Sequence, residues 1–312
     1  MDRTGPESLT DIADVVFPED CTDREIHDTI SEYHAIIARG SFEIPSDLIA
    51  RAENLKVISK HGTGVDNIDV DAASEHGVLV ANTPGANAQS VAEHSLGLLI
   101  ATRKNMFDAD RDLANGKWSR YGYSAPQLRG ATIGIYGCGD IGSRVARFTA
   151  GLGMRCLAYD PYLTDNQTPP EVDLVGSLDE LFERSDVVSI HTPLTDETRG
   201  TVTATRLREL GPDGLLVNAA RGGIVDEDDL VDVLNAGEIA GAGLDVFSEE
   251  PPDLDRELFS HPAVITTPHI AGTSEQSSRE KSVRAADNVR AVYNGELPES
   301  VVNLNAFVDL AY

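Results

Sequence analysis

Lysine is nearly missing from this chain: there are five among 312 residues, Lys56, Lys60, Lys104, Lys117 and Lys281. With the arginines the basic residues reach 25, against 52 Asp and Glu, a formal net charge of −27. The acids are spread along the sequence and no basic stripe interrupts them, which argues against nucleic acid as a partner. Cysteine is scarce as well. Cys21, Cys138 and Cys156 are odd in number and widely spaced. They fit neither a disulfide framework nor a CxxC metal site, so reduced thiols in a cytoplasm, and no metal, are expected. No apolar run approaches the roughly 18 residues that cross a bilayer, so no membrane partner is expected. The opening residues, MDRTGPESLTDIADVV, lack a basic start followed by an apolar core, and no secretory signal is expected. So much like charge works against a compact state in dilute buffer. Molar salt shortens the screening length to about 3 Å, and the composition therefore points to a halophilic protein.

What is present is an alternation of short apolar runs and helical stretches, the pattern of parallel sheets covered by helices. The length suggests two domains. In the first hundred residues, 13–17, 34–39, 54–59 and 77–82 read as strands. An acidic helical stretch follows the first of these, and helices are expected at 46–52 and Val70–Glu75. Residues 88–113 predict long helices leaving this region, and 115–130, rich in turn formers, reads as a connector. A second alternation places strands at 131–137, 154–160, 186–191, 214–220, 240–247 and 263–268. Its helices fall at 141–152, at 177–185 behind a Ser177/Glu180 capping box, at 226–237 closing on Gly237, and at about 274–293. The final residues, 299–310, look as though they return to the first domain.

The stretch IYGCGDIGSRV, 135–145, carries Gly137-x-Gly139-x-x-Gly142 between a strand and a helix, and Asp160 ends the next strand 23 residues after Gly137. Gly137 permits a tight turn, Gly139 lets the backbone approach a pyrophosphate, and Gly142 lets the helix pack close to the sheet. Asp140 and Ile141 open that helix, whose N–H groups and positive end suit a phosphate without any lysine. Asp160 suits ribose hydroxyls and opposes an extra phosphate, so NAD is expected rather than NADP.

Three ionisable residues follow later strands: Arg221 in NAARGGIVDE, Glu250 in FSEEPP and His269 in TPHIAG. The carboxyl ends of strands in a doubly wound sheet are where ligands sit, and a shared cleft is expected.

RGGIVDEDDL, LDVFSEEPP and TPHIAG resemble the signature blocks of the D-isomer-specific 2-hydroxyacid dehydrogenases, phosphoglycerate dehydrogenases and hydroxypyruvate reductases among them. KHGTGVDNID, NTPGANAQSVAEH and GKWSR resemble that family too, and the likeness covers most of 54–302. The resemblance implies that Arg221 anchors the substrate carboxylate, for which a planar guanidinium is suited. It implies that Glu250 and His269 are the acid–base pair; a carboxylate beside an imidazole favours the protonated ring. Glu249 is also a candidate, but Glu250 matches by its place before Pro251. By the same resemblance the main chain of His61, Gly62, Thr63 and Gly64 is a second carboxylate cradle. Thr192, Pro193, Ala219, Ala220, Asp245 and Gly272 match nicotinamide and ribose contacts. Lys60 departs from the pattern, and either reaches an anionic group on the substrate or is simply exposed. His191 is expected to lend only backbone.

The expectation is thus an α/β chain of two doubly wound domains. A Rossmann NAD-binding domain, 101–287, is inserted into a flavodoxin-like substrate domain formed by 1–100 and 288–312. The expected reaction is hydride transfer between NAD and C2 of a small D-2-hydroxy or 2-oxo acid, in a cleft closed by domain motion, by a cytoplasmic homodimer joined through the NAD domain. The alternative is a non-catalytic NAD-sensing protein of the same fold.

Overall fold

The computed structural model describes residues 2–17, 23–40 and 42–308. The chain divides into two compact units, one formed by Met1–Asn87 with Thr273–Tyr312 and the other by Ala88–Gly272.

The smaller unit is built on a parallel sheet of β1 (Ala35–Ala38), β2 (Val57–Lys60) and β3 (Leu79–Ala81), in that order. Alternate side chains enter two apolar layers, as the two-residue period of a strand requires. Ile58 and Val80 join Leu48, Ile49 and Ala73 of the helices Ser46–Arg51 and Val70–Glu75. Val57, Ile37 and Leu79 join Ala286 and Val289 of the helix Glu275–Tyr293. Asp69 caps its helix by accepting the Ala72 N–H at 2.9 Å, and Ser274 caps the long helix through the Ser277 N–H at 3.1 Å. The chain end lies along β3. Val301 bridges Ala81 antiparallel, and the Asn303 side chain accepts from Val80 N and donates to Val78 O.

Residues 13–17 do not form the expected strand. Ile12 and Val15 instead pack beside Leu9 and Val57, the N–H groups of Ile12 and Ala13 close a helical turn onto Leu9 O, and Val16 is half exposed. The apolar run serves as an anchor rather than a ladder. Part of the acidic stretch after it lies outside the described residues; the rest is the helix Asp23–Thr29.

The larger unit holds seven parallel strands: β4 (Thr132–Tyr136), β5 (Arg155–Tyr159), β6 (Val172–Leu174), β7 (Val187–Ile190), β8 (Leu215–Asn218), β9 (Gly241–Leu244) and β10 (Val264–Thr266). Their order is β10-β9-β8-β7-β4-β5-β6, the doubly wound arrangement whose direction reverses between β4 and β7. Both faces are covered, so the central strands β4, β7, β8 and β9 are almost fully buried. Ile133, Ile135, Leu215 and Val217 meet Leu98, Leu99, Val145 and Ala146 on one side. Val188, Ile190, Leu216 and Leu244 meet Leu181, Phe182, Leu207 and Leu230 on the other.

The unit boundaries lie 13 and 15 residues earlier than the expected 100 and 288. Packing decides this. The helix Ala88–Arg103 buries Leu98 and Leu99 against the larger sheet, and Gly243 of β9 has no Cβ because one would stand 3.0 Å from Leu98 Cβ. The helix Glu275–Tyr293 packs on β2 of the smaller unit. β6 has no counterpart in the sequence reading; it is three residues long, at the sheet edge, with Asp173 exposed.

Candidate active site

The glycine loop joins β4 to the helix Asp140–Gly151. Gly137 has φ 89°, and a Cβ there would lie 2.7 Å from Thr192 N, so the loop passes directly against the end of β7 at the switch point. A Cβ on Gly142 would lie 2.2 Å from Gly137 O, which makes the helix start fold back on the turn. Gly139 is the helix N-cap with no side-chain cap, and a Cβ there would meet nothing within 4 Å. The first turn thus keeps its N–H groups for a ligand beside open space, a fit to a pyrophosphate. The Asp160 carboxylate accepts from Cys138 N at 2.9 Å and Tyr162 N at 3.0 Å, which fixes it beside the loop. Ile141 packs with Ala219 and Ala271, so the loop, the end of β8 and the segment after β10 meet in one apolar cluster. Thr192 lies against Gly137, and the next residue, Pro193, accepts from Thr198 Oγ1 through its carbonyl at 2.7 Å. Burial, then the Asp160 charge, pushes the Cys138 thiol up to about 11, so it is an inert space-filler. Cys156 is buried as well, and Cys21 lies outside the described residues.

Arg221, Glu250 and His269 come together beyond β8, β9 and β10. His269 Nδ1 lies 2.6 Å from Glu250 Oε2, and both side chains are part-exposed. The other carboxylate oxygen accepts the Phe247 N–H at 3.0 Å. Burial opposes the Glu250 charge, but the His269 and Phe247 hydrogen bonds, with the charges of His269 and Arg221, outweigh it and hold the carboxyl below its ordinary range. Arg221 leaves β8 with extended backbone (φ −145°, ψ 137°) and donates from Nη1 to Ala220 O at 2.7 Å. The turn that presents it is closed by Asn218, whose side chain accepts from Ala220 N and donates to Arg221 O, each at 3.0 Å. Glu249 is exposed and stands outside this arrangement.

Asp245 is fully buried. Its carboxylate accepts from Ile270 N (2.9 Å), Ala271 N (2.8 Å) and Thr267 Oγ1 (2.6 Å), and Thr267 Oγ1 lies 2.9 Å from His94 Nε2. Both oxygens are therefore engaged in shaping the loop that bears His269. His269 itself has φ 53°. Gly272 closes the unit next to Ala271, whose carbonyl accepts from Ser90 Oγ at 2.7 Å. The sequence reading missed Asn218, Thr267 and His94. Asn218 carried a usable signal, a turn-forming side chain at a strand end; the others became visible only through contacts.

His61, Gly62, Thr63 and Gly64 belong to the other unit and follow β2. His61 N donates to Ala38 O (2.8 Å) and Gly62 N to Thr83 Oγ1 (3.0 Å), so two of the four amides of the expected cradle are engaged elsewhere. Those of Thr63 and Gly64 have no hydrogen-bond partner among the described residues. The His61 ring is buried and donates from Nε2 to Ser278 O at 3.2 Å; burial, then the Lys281 and Arg39 charges, pushes its pKa down to about 4. Lys60 is neither exposed nor turned outward: it is buried and donates to Gly40 O at 3.0 Å and to Asn67 Oδ1. His191 is likewise interior, its Nε2 2.8 Å from Ser189 Oγ, and burial pushes it down to about 3, in keeping with a backbone role. Among the described residues no group of three His, Cys, Asp or Glu could hold a metal ion, and no helix is long and apolar enough to cross a membrane.

Residues 96–271 match the family model of the D-isomer specific 2-hydroxyacid dehydrogenase, NAD binding domain. A D-3-phosphoglycerate dehydrogenase of Methanocaldococcus jannaschii is 37% identical over 297 residues, covering 95% of this chain and 56% of that protein. D-3-phosphoglycerate dehydrogenase 2, chloroplastic, of Arabidopsis thaliana is 36% identical over 305 residues, 97% of this chain and 49% of its own length. The chain thus spans about half the length of the curated relatives it matches. Among solved structures, D-lactate dehydrogenase from Aquifex aeolicus, complexed with NAD and lactic acid, superposes with a TM-score of 0.83 at 28% identity, covering 95% and 94% of the two chains. The TT0316 protein from Thermus thermophilus gives 0.83 at 32% identity over 93% and 91%. With a doubly wound sheet, a glycine turn at its switch point and three signature blocks converging at its strand ends, the chain belongs to the D-isomer specific 2-hydroxyacid dehydrogenase family, and Ala88–Gly272 carries its NAD binding domain.

Proposed function

We propose that the protein catalyses reversible hydride transfer between NAD and C2 of a small D-2-hydroxy or 2-oxo acid. The observation that carries this reading is the 2.6 Å contact of His269 Nδ1 with Glu250 Oε2, under the Arg221 charge, at the carboxyl ends of β8 to β10. The amides after Gly137, Gly139, Asp140 and Ile141 would hold the pyrophosphate, and Asp160 the ribose hydroxyls. Bound there, the dinucleotide supplies the hydride or accepts it. Arg221 takes the substrate carboxylate with two parallel bonds. Glu250 occupies Nδ1 of His269, which leaves Nε2 to donate a proton to the 2-oxo oxygen during reduction, or to take it back during oxidation. The relatives' names make 3-phosphoglycerate the first substrate to try.

The reading includes a homodimer. In the larger unit the helix Met106–Ala114 buries no residue, Met106, Phe107 and Leu113 are more than half exposed, and Trp118 and Tyr121 are exposed after it. Such an apolar surface favours a second copy. It also includes a salt-rich cytoplasm, supported by the charge of −27. The test is NADH oxidation with a panel of 2-oxo acids, at high and low salt, for the wild type and for His269→Gln. The wild type turns over one or more of them. His269→Gln loses most of the turnover and keeps its NADH affinity. A wild type that binds NADH and reduces none of the panel would restore the non-catalytic alternative.

A further inference from the structure

The acid–base pair has a support in the motif that follows Arg221. Asp226 caps the helix Glu227–Asn235 by accepting from Asp228 N and Asp229 N at 3.1 and 3.0 Å, so the cap needs nothing from Glu227. Asp228, next to it, is 90% exposed, whereas the Glu227 side chain is only 5% exposed. A buried carboxylate is costly unless it is paired and hydrogen-bonded, and this one is satisfied entirely by the segment 248–256. Oε1 accepts the Ser248 N–H at 2.5 Å, and Oε2 takes the Arg256 guanidinium, which also reaches Asp228 Oδ1 at 2.8 Å. Ser248 lies two residues before Glu250 and Arg256 six after it. Next to these contacts, Gly222 presses its bare Cα onto the main chain at Phe247; a Cβ there would lie 1.9 Å from Phe247 C.

We propose that Glu227 is a positioning residue for the acid–base pair: its buried carboxylate holds both ends of the segment carrying Glu250, and ties that segment to the turn carrying Arg221. Resting on the reading of Glu250 and His269 given above, this deepens it. RGGIVDE then contains both the guanidinium that binds substrate and the carboxylate that sets where the imidazole's partner stands. Glu227 touches neither substrate nor cofactor and acts only through Glu250.

Glu227→Ala removes both contacts; Glu227→Gln keeps an acceptor for Ser248 N–H but sets an amide against Arg256. Each is made in the wild type and in Glu250→Gln, with kcat, NADH affinity and thermal unfolding measured for all. In the wild-type background Glu227→Ala lowers kcat about 10- to 100-fold, Glu227→Gln less, and NADH affinity is unchanged. In Glu250→Gln neither has a further effect on kcat, because residues acting through one group are not additive. Equal fold-losses in both backgrounds, or unchanged kcat in the wild-type background, would overturn the proposal. If Glu227→Ala does not fold, Glu227→Gln carries the same comparison. Glu250→Gln with wild-type turnover removes the acid–base reading itself, whereas a slow Glu250→Gln with fast Glu227 variants removes only the role of Glu227.

Discussion

Asp245 and His269 are joined through main chain: the His269 N–H donates to Asp245 O at 2.8 Å, while the Asp245 carboxylate takes the next two amides. Three successive N–H groups thus end on one residue, and this holds His269 at its positive φ. In Asp245→Asn the amide donor would face a backbone N–H, leaving a buried donor unsatisfied. Turnover is expected to fall about tenfold or more, with NADH affinity within about threefold, since a loop displaced by under an ångström degrades alignment more than binding. Steady-state kinetics set against NADH titration checks this; an affinity loss as large as the kcat loss would instead mark Asp245 as a nicotinamide contact.

Two alanines in the glycine loop separate binding from folding. Gly142→Ala puts a Cβ 2.2 Å from Gly137 O and forces the turn open. A loss of roughly 1–3 kcal/mol is expected, as for overpacked sites. Gly139→Ala meets nothing within 4 Å and keeps an ordinary φ of −75°, so the fold is retained. Its methyl group instead occupies the approach a pyrophosphate needs, and NADH affinity drops at least about tenfold, roughly 1.4 kcal/mol. Urea unfolding and calorimetric NADH titration read the two effects.

Acid destabilises the chain through two histidines. His61 is pushed down to about 4 and His191 to about 3. Below pH ~6.5 the unfolded chain binds protons that the folded one refuses. Stability is therefore complete above about 6.5 and declines as the pH falls towards these lowered values. Between pH 7 and 4.5 each histidine accounts for roughly 2–3 kcal/mol of loss. Replacing His61 or His191 by Gln should flatten the fall by that amount, measured as urea midpoints across the range. The charge of −27 acts oppositely over the same interval, since protonating carboxylates relieves repulsion; the comparison of variants removes it.

Salt is expected to stabilise. The ion pairs present are largely surface pairs, such as Arg24 with Asp28, and individually contribute little. Repulsion among 52 acids against 25 bases outweighs them. Raising KCl from 0.1 to 2 M should lift the Tm by roughly 5–10 °C, on the order of 2–3 kcal/mol. A Tm that is flat or falls with salt would show that attraction, not repulsion, governs the surface.

The larger sheet was legible because strands buried on both faces read as unbroken apolar runs, and each was followed by turn formers. The edge strand β6 was not, since three residues with an exposed Asp173 carry no such run. Residues 13–17 misled for the converse reason: the run is apolar but largely exposed, with only Val15 packing beside Leu9 and Val57, so its composition reflects no ladder. The juxtaposition of Arg221, Glu250 and His269 could be inferred from strand ends alone. The fates of Lys60 and Asp245 could not, because a buried ammonium or carboxylate is defined by partners such as Gly40 or Ala271, which lie 20 and 26 residues away in the sequence.

The missing side chain at Gly222 fixes a length. With main chain touching main chain, the spacing between the turn that carries Arg221 and the segment that leads to Glu250 is set by the thickness of two peptide backbones. Any methyl group at position 222 would wedge those two segments apart, and with them the backbones that carry Arg221 and Glu250.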